Sequence, residues 1–137
     1  MTQHATPHPL TDAQRLALLG HVRDTNTSVY EQLDQAGTPV ELHTAMRRMA
    51  MHGRVAAAVV EQAIVLDEPM RELLTRERDE LLAHRRDLRE FLDGLHAGEP
   101  GHVYVGMSVE VSERVTADEL AEDEGHLAAL DELLAAY

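Results

Sequence analysis

Hydrophobic residues along most of the chain recur at alternating steps of three and four, which is the period of an α-helix that buries one face. Three short stretches rich in Pro and Gly interrupt this pattern: "AGTP" at residues 36–39, "DEP" at 67–69 and "HAGEPGH" at 96–102. Pro is favoured at a first helical position and Gly just after a last one. The pattern therefore predicts helices over about residues 11–35, 39–66, 69–95 and 117–137.

Each predicted helix carries an apolar stripe, and two stripes are continuous. In the second helix the stripe contains Leu42, Met46, Met49, Gly53, Ala56, Val60 and Ala63. In the third it contains Met70, Leu74, Glu77, Leu81, His84, Leu88, Phe91 and Leu95. Steps of four and three are typical of a seam between packed helices. We expect both stripes to face a core, with Met46 and Met49 as core filler.

Two helix starts carry capping signals. Thr11 precedes the first stripe, and Thr116 opens the sequence "TADE", which matches the capping box of a hydroxyl residue followed three positions later by Glu. The fourth helix, predicted to start after Thr116, has its stripe at Leu120, Asp123, Leu127, Leu130 and Leu134.

Residues 103–111 instead alternate with a period of two, which predicts a short extended or β segment. An unpaired strand edge is usually covered, so we expect this segment to pair across a subunit interface. The interface residues would be Val103, Val105, Met107, Val109 and Val111. Pairing with a different protein, or packing as an extended connection over the bundle, would give the same pattern.

The length and these elements predict an all-α four-helix bundle with one short extended segment near residues 103–111. Residues 11–137 would form a single helical-bundle domain, preceded by a flexible tail over residues 1–10. The first residues lack a secretory signal and no run is long enough to span a membrane, so we expect a cytoplasmic protein without membrane contact.

The chain has a formal net charge of -13, and all twelve basic residues are Arg. An acidic surface repels phosphate backbones, which disfavours general nucleic-acid binding and favours a basic partner. Cysteine is absent, so disulfides, thiol catalysis and Cys-ligated metals are excluded.

Several polar residues interrupt the apolar stripes. Asn26 lies on the apolar face of the first helix, and further ionisable residues lie in or beside the other stripes: His52, Glu77, His84, Asp123 and His126. Burying such groups is costly unless they are paired or bind a metal. These five residues predict a site for Zn, Fe or Mn in the bundle core. The alternative is a buried polar network that fixes helix register or an interface.

Two short motifs resemble known families. Asp123-x-x-His126 is similar to the Glu-x-x-His element of ferritin-like di-iron bundles, which implies metal ligation, but the second such element and the further Glu residues are missing. The sequence "RRMAMH" resembles the Arg/His motif of HEPN ribonucleases, which implies that Arg47 and His52 act on an RNA phosphate. It lacks the polar residue that commonly follows the Arg. Four Arg/His pairs of similar spacing occur, about what the composition gives by chance.

No phosphate loop, nucleophile elbow or His-Glu-x-x-His motif occurs in the chain. The sequence therefore favours a non-catalytic helical-bundle binding or assembly protein, a subunit of a homo-oligomer or larger complex. A metal-binding bundle, acting as an enzyme or a metal carrier, is the alternative. A HEPN-like ribonuclease is a more distant one.

Overall fold

The computed structural model describes residues 6–98 and 106–136, and within them the prediction of an all-α fold with four helices is confirmed. The helices are α1 (Asp12–Gln35), α2 (Pro39–Glu61), α3 (Glu68–His96) and α4 (Val109–Leu134). A small antiparallel sheet joins β1 (His8–Pro9) and β2 (Ala63–Ile64). Among the described helices, none combines the length and the apolar character needed to cross a membrane.

The chain falls into two compact units, residues 1–74 and residues 75–137, and the boundary lies within α3. The first unit contains α1, α2, both strands and the start of α3. The second contains the rest of α3 and α4. The single domain expected for residues 11–137 stays a prediction.

The first unit buries apolar residues from α1, α2, β2, the start of α3 and the connection before it: Ala17, Leu18, Val29, Ala45, Val55, Ala58, Ile64, Leu66, Met70, Leu73 and Leu74. In the second unit, buried residues follow the stripes predicted for the third and fourth helices: Leu88, Leu95, Asp123, Leu127 and Leu130. For α3 and α4, the helical period therefore identified the buried face correctly.

Side chains fix where three helices begin. Thr11 forms a full capping box, since its hydroxyl accepts from the Gln14 backbone N–H at 3.1 Å while Gln14 Oε1 accepts from the Thr11 backbone N–H at 3.0 Å. Thr38 caps α2 in the same way through the Glu41 N–H, and Pro39 occupies the first turn. Ser108 caps α4 by accepting from the Val111 N–H. These bonds satisfy backbone donors that a helix cannot pair internally.

Asp67 has the same role at the start of α3. Its Oδ1 accepts from the Met70 N–H at 3.1 Å, and its Oδ2 accepts from Arg54 of α2 at 2.9 Å. Partial burial raises the pKa of the Asp67 carboxyl, but the bonds from Arg54 and Met70 outweigh it, so the pKa lies below its ordinary value. This ion pair ties the start of α3 to α2.

The start of α4 corrects the predicted boundary. The helix begins at Val109 rather than after Thr116, because the Thr116 hydroxyl donates to the Ser112 carbonyl within the helix and does not act as a cap. Met107 lies just before the helix, whereas Val109 and Val111 are helical rather than extended. The predicted interface residues Val103 and Val105 lie outside the described residues.

Two further boundaries differ from the prediction. The second helix ends at Glu61 instead of near Leu66, because Gln62 adopts a left-handed conformation with φ of 60° and the chain then enters β2. In the segment predicted as a flexible tail, His8 and Pro9 pair with β2, and the Leu10 N–H donates to the Gln62 carbonyl at 2.9 Å. This pairing could not be seen in the sequence because each strand has only two residues.

The capping box at Thr11 predicts a measurable loss on mutation. Thr11→Ala removes the acceptor for the Gln14 N–H and should lower the free energy of unfolding by about 1 kcal/mol in urea denaturation. Thr27→Ala, at an exposed position within the same helix, is the control and should cause no loss. Equal effects of the two substitutions would contradict this role for Thr11.

Candidate functional site: an apolar face of the α1–α2 hairpin

Polar side chains form the contact between α1 and α2. Arg48 of α2 donates to Gln32 Oε1 at 2.8 Å and to Ser28 Oγ at 2.9 Å in α1. Nearer the middle of both helices, Thr25 Oγ1 and His52 Nδ1 are 3.2 Å apart. Late residues of α1 thus meet early residues of α2, as expected of two antiparallel helices joined by a short loop. We call the helix positions in phase with these bonded residues, 18, 21, 25, 28 and 32 of α1 and 45, 48, 52 and 55 of α2, the contact line.

The hydrogen bonds of Thr25 assign the proton of His52. Thr25 donates its single hydroxyl hydrogen to the His21 carbonyl at 2.7 Å, so its oxygen accepts from Nδ1–H of His52. Burial lowers the pKa of His52, and the nearby charges of His21 and Arg48 lower it further. The folded protein therefore favours a neutral His52 with its proton on Nδ1.

The predicted apolar stripe of α2 does not lie on the contact line. Met46, Met49, Gly53 and Ala56 each follow a contact-line residue by one position and are therefore rotated from it by about 100°. In α1, Leu19, Val22, Asn26, Val29 and Leu33 follow contact-line residues in the same way, and of these Val29 is buried. In an antiparallel pair, an equal rotation in both helices leads to the same side of the pair. The stripes of both helices therefore share one side of the hairpin.

This side of the hairpin is largely uncovered. Leu42 is 47% exposed, Met46 51% and Val60 80%, and Gly53 is also exposed. Leu19, Val22, Leu33, Met49 and Ala56 are half-buried, and Tyr30 at the edge is exposed. The expectation that the α2 stripe, including Met46 as filler, forms core is therefore wrong. Asn26, expected to point inward, is exposed as well. We call this side the apolar face.

In the second unit, pairs of basic and acidic side chains show the register between α3 and α4. Arg78, early in this part of α3, lies 3.7 Å from Asp131 near the end of α4. His96, at the end of α3, lies 3.1 Å from Glu113 near the start of α4. Between them, Arg89 donates to Glu124 at 2.8 Å. In each of these pairs α3 supplies the basic residue and α4 the carboxylate, so the two helices are antiparallel and held in one register.

Two of the five predicted metal ligands meet in this hairpin. His84 Nδ1 donates to Asp123 Oδ2 at 2.5 Å, with the Asp123 side chain 11% exposed and the His84 side chain 53% exposed. Glu77 and His126 are half-buried in the same unit, and His52 belongs to the first unit and contacts Thr25. The structure therefore brings together a His–Asp pair from the predicted set.

No group of three or more His, Asp or Glu side chains that could hold a metal ion occurs across residues 6–98 and 106–136. A Zn, Fe or Mn role for these residues stays a prediction. The Arg/His motif separates on the helix: Arg47 is exposed, and His52, five positions later, is rotated from it by about 140°. Arg48, one turn before His52, is the arginine that shares its side of α2.

Comparison of the chain with family models, with curated proteins and with solved structures found no match. The candidate function therefore has to be argued from the geometry of this chain. The sequence alone did not predict the apolar face, because a helical period identifies an apolar stripe but not what covers it. A usable signal was present: the α1 positions that face α2 include Thr25 and Gln32, which are poor core formers.

The environment of His52 predicts a pH dependence. Because its pKa is lowered in the folded protein, the unfolded chain binds the proton more tightly. Stability is therefore complete above the ordinary value of 6.5 and falls as the pH drops through 6.5 toward the folded value. Urea unfolding between about pH 7.5 and about pH 5 should show this loss.

His52→Asn should flatten that pH profile, because its amide can still donate to Thr25 but does not titrate. His43→Asn, at an exposed position of the same helix, is the control and should leave the slope near that of the wild type. A His52→Asn protein with an unchanged slope would contradict the assignment.

The His84–Asp123 pair predicts an asymmetric cost. His84→Ala leaves a buried carboxylate without its donor and should lower the free energy of unfolding by about 1–3 kcal/mol. Replacing both residues, as His84→Leu with Asp123→Leu, should recover most of that loss. His96→Ala is the matched control, since its partner Glu113 is 47% exposed, and should change stability by less than about 0.5 kcal/mol. A cost of His84→Ala no larger than the control's would count against a buried pair.

Proposed function

We propose that this chain is a non-catalytic binding or assembly subunit whose apolar face docks against another protein surface. The observation that carries the proposal is the exposure of an apolar stripe along α2, in which Leu42, Met46 and Val60 are exposed and Met49 and Ala56 are half-buried. Isolated exposed apolar residues are ordinary, but contiguous patches of this kind mark interaction sites.

The stripe has the spacing of a helix–helix contact. Its members alternate by four and three residues, the pattern by which a helix presents one seam to a partner helix. The bonds along the contact line also restrict the rotation of α2. Arg48 and His52 are engaged with α1, so α2 cannot turn its stripe inward without breaking those bonds. The stripe is therefore available to a partner outside the hairpin.

The charge distribution separates two roles along the chain. Residues 75–137 contain sixteen Asp and Glu against six Arg, whereas residues 1–74 contain nine against six. The acidic excess thus lies mainly in the second unit, and a basic partner would be attracted there. The apolar face lies in the nearly neutral α1–α2 hairpin. We expect this assembly to operate in the cytoplasm.

Site-specific photo-crosslinking in living cells tests this function. A photoreactive amino acid in place of Met46, in the centre of the apolar face, should give one major adduct of discrete mass. The same group in place of Thr44, exposed on α2 but rotated away from the stripe by about 160°, should give little adduct. The contrast arises because only the docked face holds a partner within reach.

Leu42→Glu in the same chain provides the control for chance collisions. Leu42 is 47% exposed, so the substitution leaves the hairpin folded but places a charge in the docking surface. The Met46 adduct should then disappear. Adducts of equal yield from Met46 and Thr44, or an adduct that survives Leu42→Glu, would refute a binding role for the apolar face.

A further inference from the structure

We infer that the occupant of the apolar face is a second copy of this chain. In this arrangement, which rests on the function proposed above, two α1–α2 hairpins pack face to face about a two-fold axis parallel to their helices. α2 of one copy then lies against α1 of the other, and the four helices form an intermolecular bundle. Three features of the face support this occupant: its shape, its flanking charges and its area.

The shape of the face suits a helical partner. Gly53 and Ala56 place small residues in the middle of the stripe, between Met49 and Val60. Apart from its chain neighbours and the nearby backbone of its own helix, no described atom lies within 4 Å of the position that a Cβ on Gly53 would occupy, so this point is open. Small residues at such a point let a second helix approach closely, and flexible Met side chains can fill the remaining space. The α1 helix of the second copy supplies Leu19, Val22 and Leu33 along the stripe, while Met46 and Met49 of each copy lie against α1 of the other.

The charges at the rim of the face are complementary in this arrangement. Thr25 and His52 are level in the hairpin, so Asp34, nine residues after Thr25, is level with His43, nine residues before His52. With α1 of the second copy lying along α2, Asp34 of one copy would lie beside His43 of the other. At the opposite end of α2, Glu61 would lie near Arg15. Acidic and basic groups thus meet at both ends.

At the middle of the rim, two like charges approach each other. Arg54 of one copy and Arg23 of the other lie at the same height along the helices. Arg54 is already engaged, since it donates to Asp67 of its own chain at 2.9 Å. The charge near Arg23 is therefore partly neutralised before docking.

The area of the face is close to that of a small dimer interface. From Leu42 to Val60 the face spans 19 residues, which at about 1.5 Å per residue makes it about 28 Å long, and two adjacent helices are about 20 Å wide. The face therefore covers on the order of 570 Å² per copy, near the lower limit of about 600 Å² per partner for a specific interface. A second copy can cover it without a further protein.

Sedimentation equilibrium of the full chain tests the dimer. The wild type should show twice the 15.2 kDa chain mass over about 1 to about 100 µM. Gly53→Glu adds no clash within the chain and improves helix propensity, so helical content by circular dichroism should be retained. It buries a charge in the interface, and the dimer should weaken at least about 100-fold. Gly125→Glu, in similarly open space on α4, is the matched control and should remain dimeric.

Each other result overturns the inference. A monomeric wild type over this range, or a Gly53→Glu protein that dimerises as well as Gly125→Glu, excludes the second copy as occupant. The composition of the Met46 photo-crosslinked adduct distinguishes failure of the dimer from failure of the proposed binding function. An adduct that contains two copies of this chain supports the dimer. An adduct with a different protein rejects the dimer but supports the binding function. An adduct with the chain's own second unit rejects both.

Discussion

The line of polar bonds between α1 and α2 is the constraint on which the rest of the first unit depends. Arg48 bonds to Gln32 and Ser28, and His52 bonds to Thr25. The bonds of Arg48 are exposed, but breaking the partly buried Thr25–His52 bond would leave polar groups unsatisfied, which costs more than an average hydrogen bond contributes. The bonds therefore fix the rotation of both helices. Because each apolar stripe is one residue out of phase with the contact line, that rotation turns both stripes to the same uncovered side.

The fold was largely predictable because its signals are local. Helical periodicity and the Pro and Gly interruptions located all four helices, and Thr11 marked the first start correctly. The start of α4 was predicted wrongly, because two local capping signals compete there. Thr116 has a capping sequence, but Ser108 is the cap because the Thr116 hydroxyl bonds back to the Ser112 carbonyl. Nothing in the sequence ranks one hydroxyl above the other, since the choice depends on where the preceding chain enters.

The candidate site was less predictable because it depends on what each face meets. The stripe from Leu42 to Val60 was expected to be buried, since a periodic apolar stripe does not reveal its partner. Their places in the α3 and α4 stripes made His84 and Asp123 candidates for one site. Whether they touch depends on the register between those helices, and in the structure they do. That register depends on which parts of the two helices pack together, and the pairs of Arg78 with Asp131 and of His96 with Glu113 mark it. A sequence with a long connection between the helices does not specify it.

The polar contact line and the uncovered face together make a two-fold pairing of hairpins the central claim, and a distance between spin labels tests it most directly. The chain contains no cysteine, so an Ala50→Cys variant carries a single label, at the exposed edge of α2. Pulsed dipolar spectroscopy should detect two coupled spins in each particle, at one short distance that disappears on dilution with unlabelled chain. A single uncoupled spin per particle at concentrations of about 100 µM would contradict the pairing.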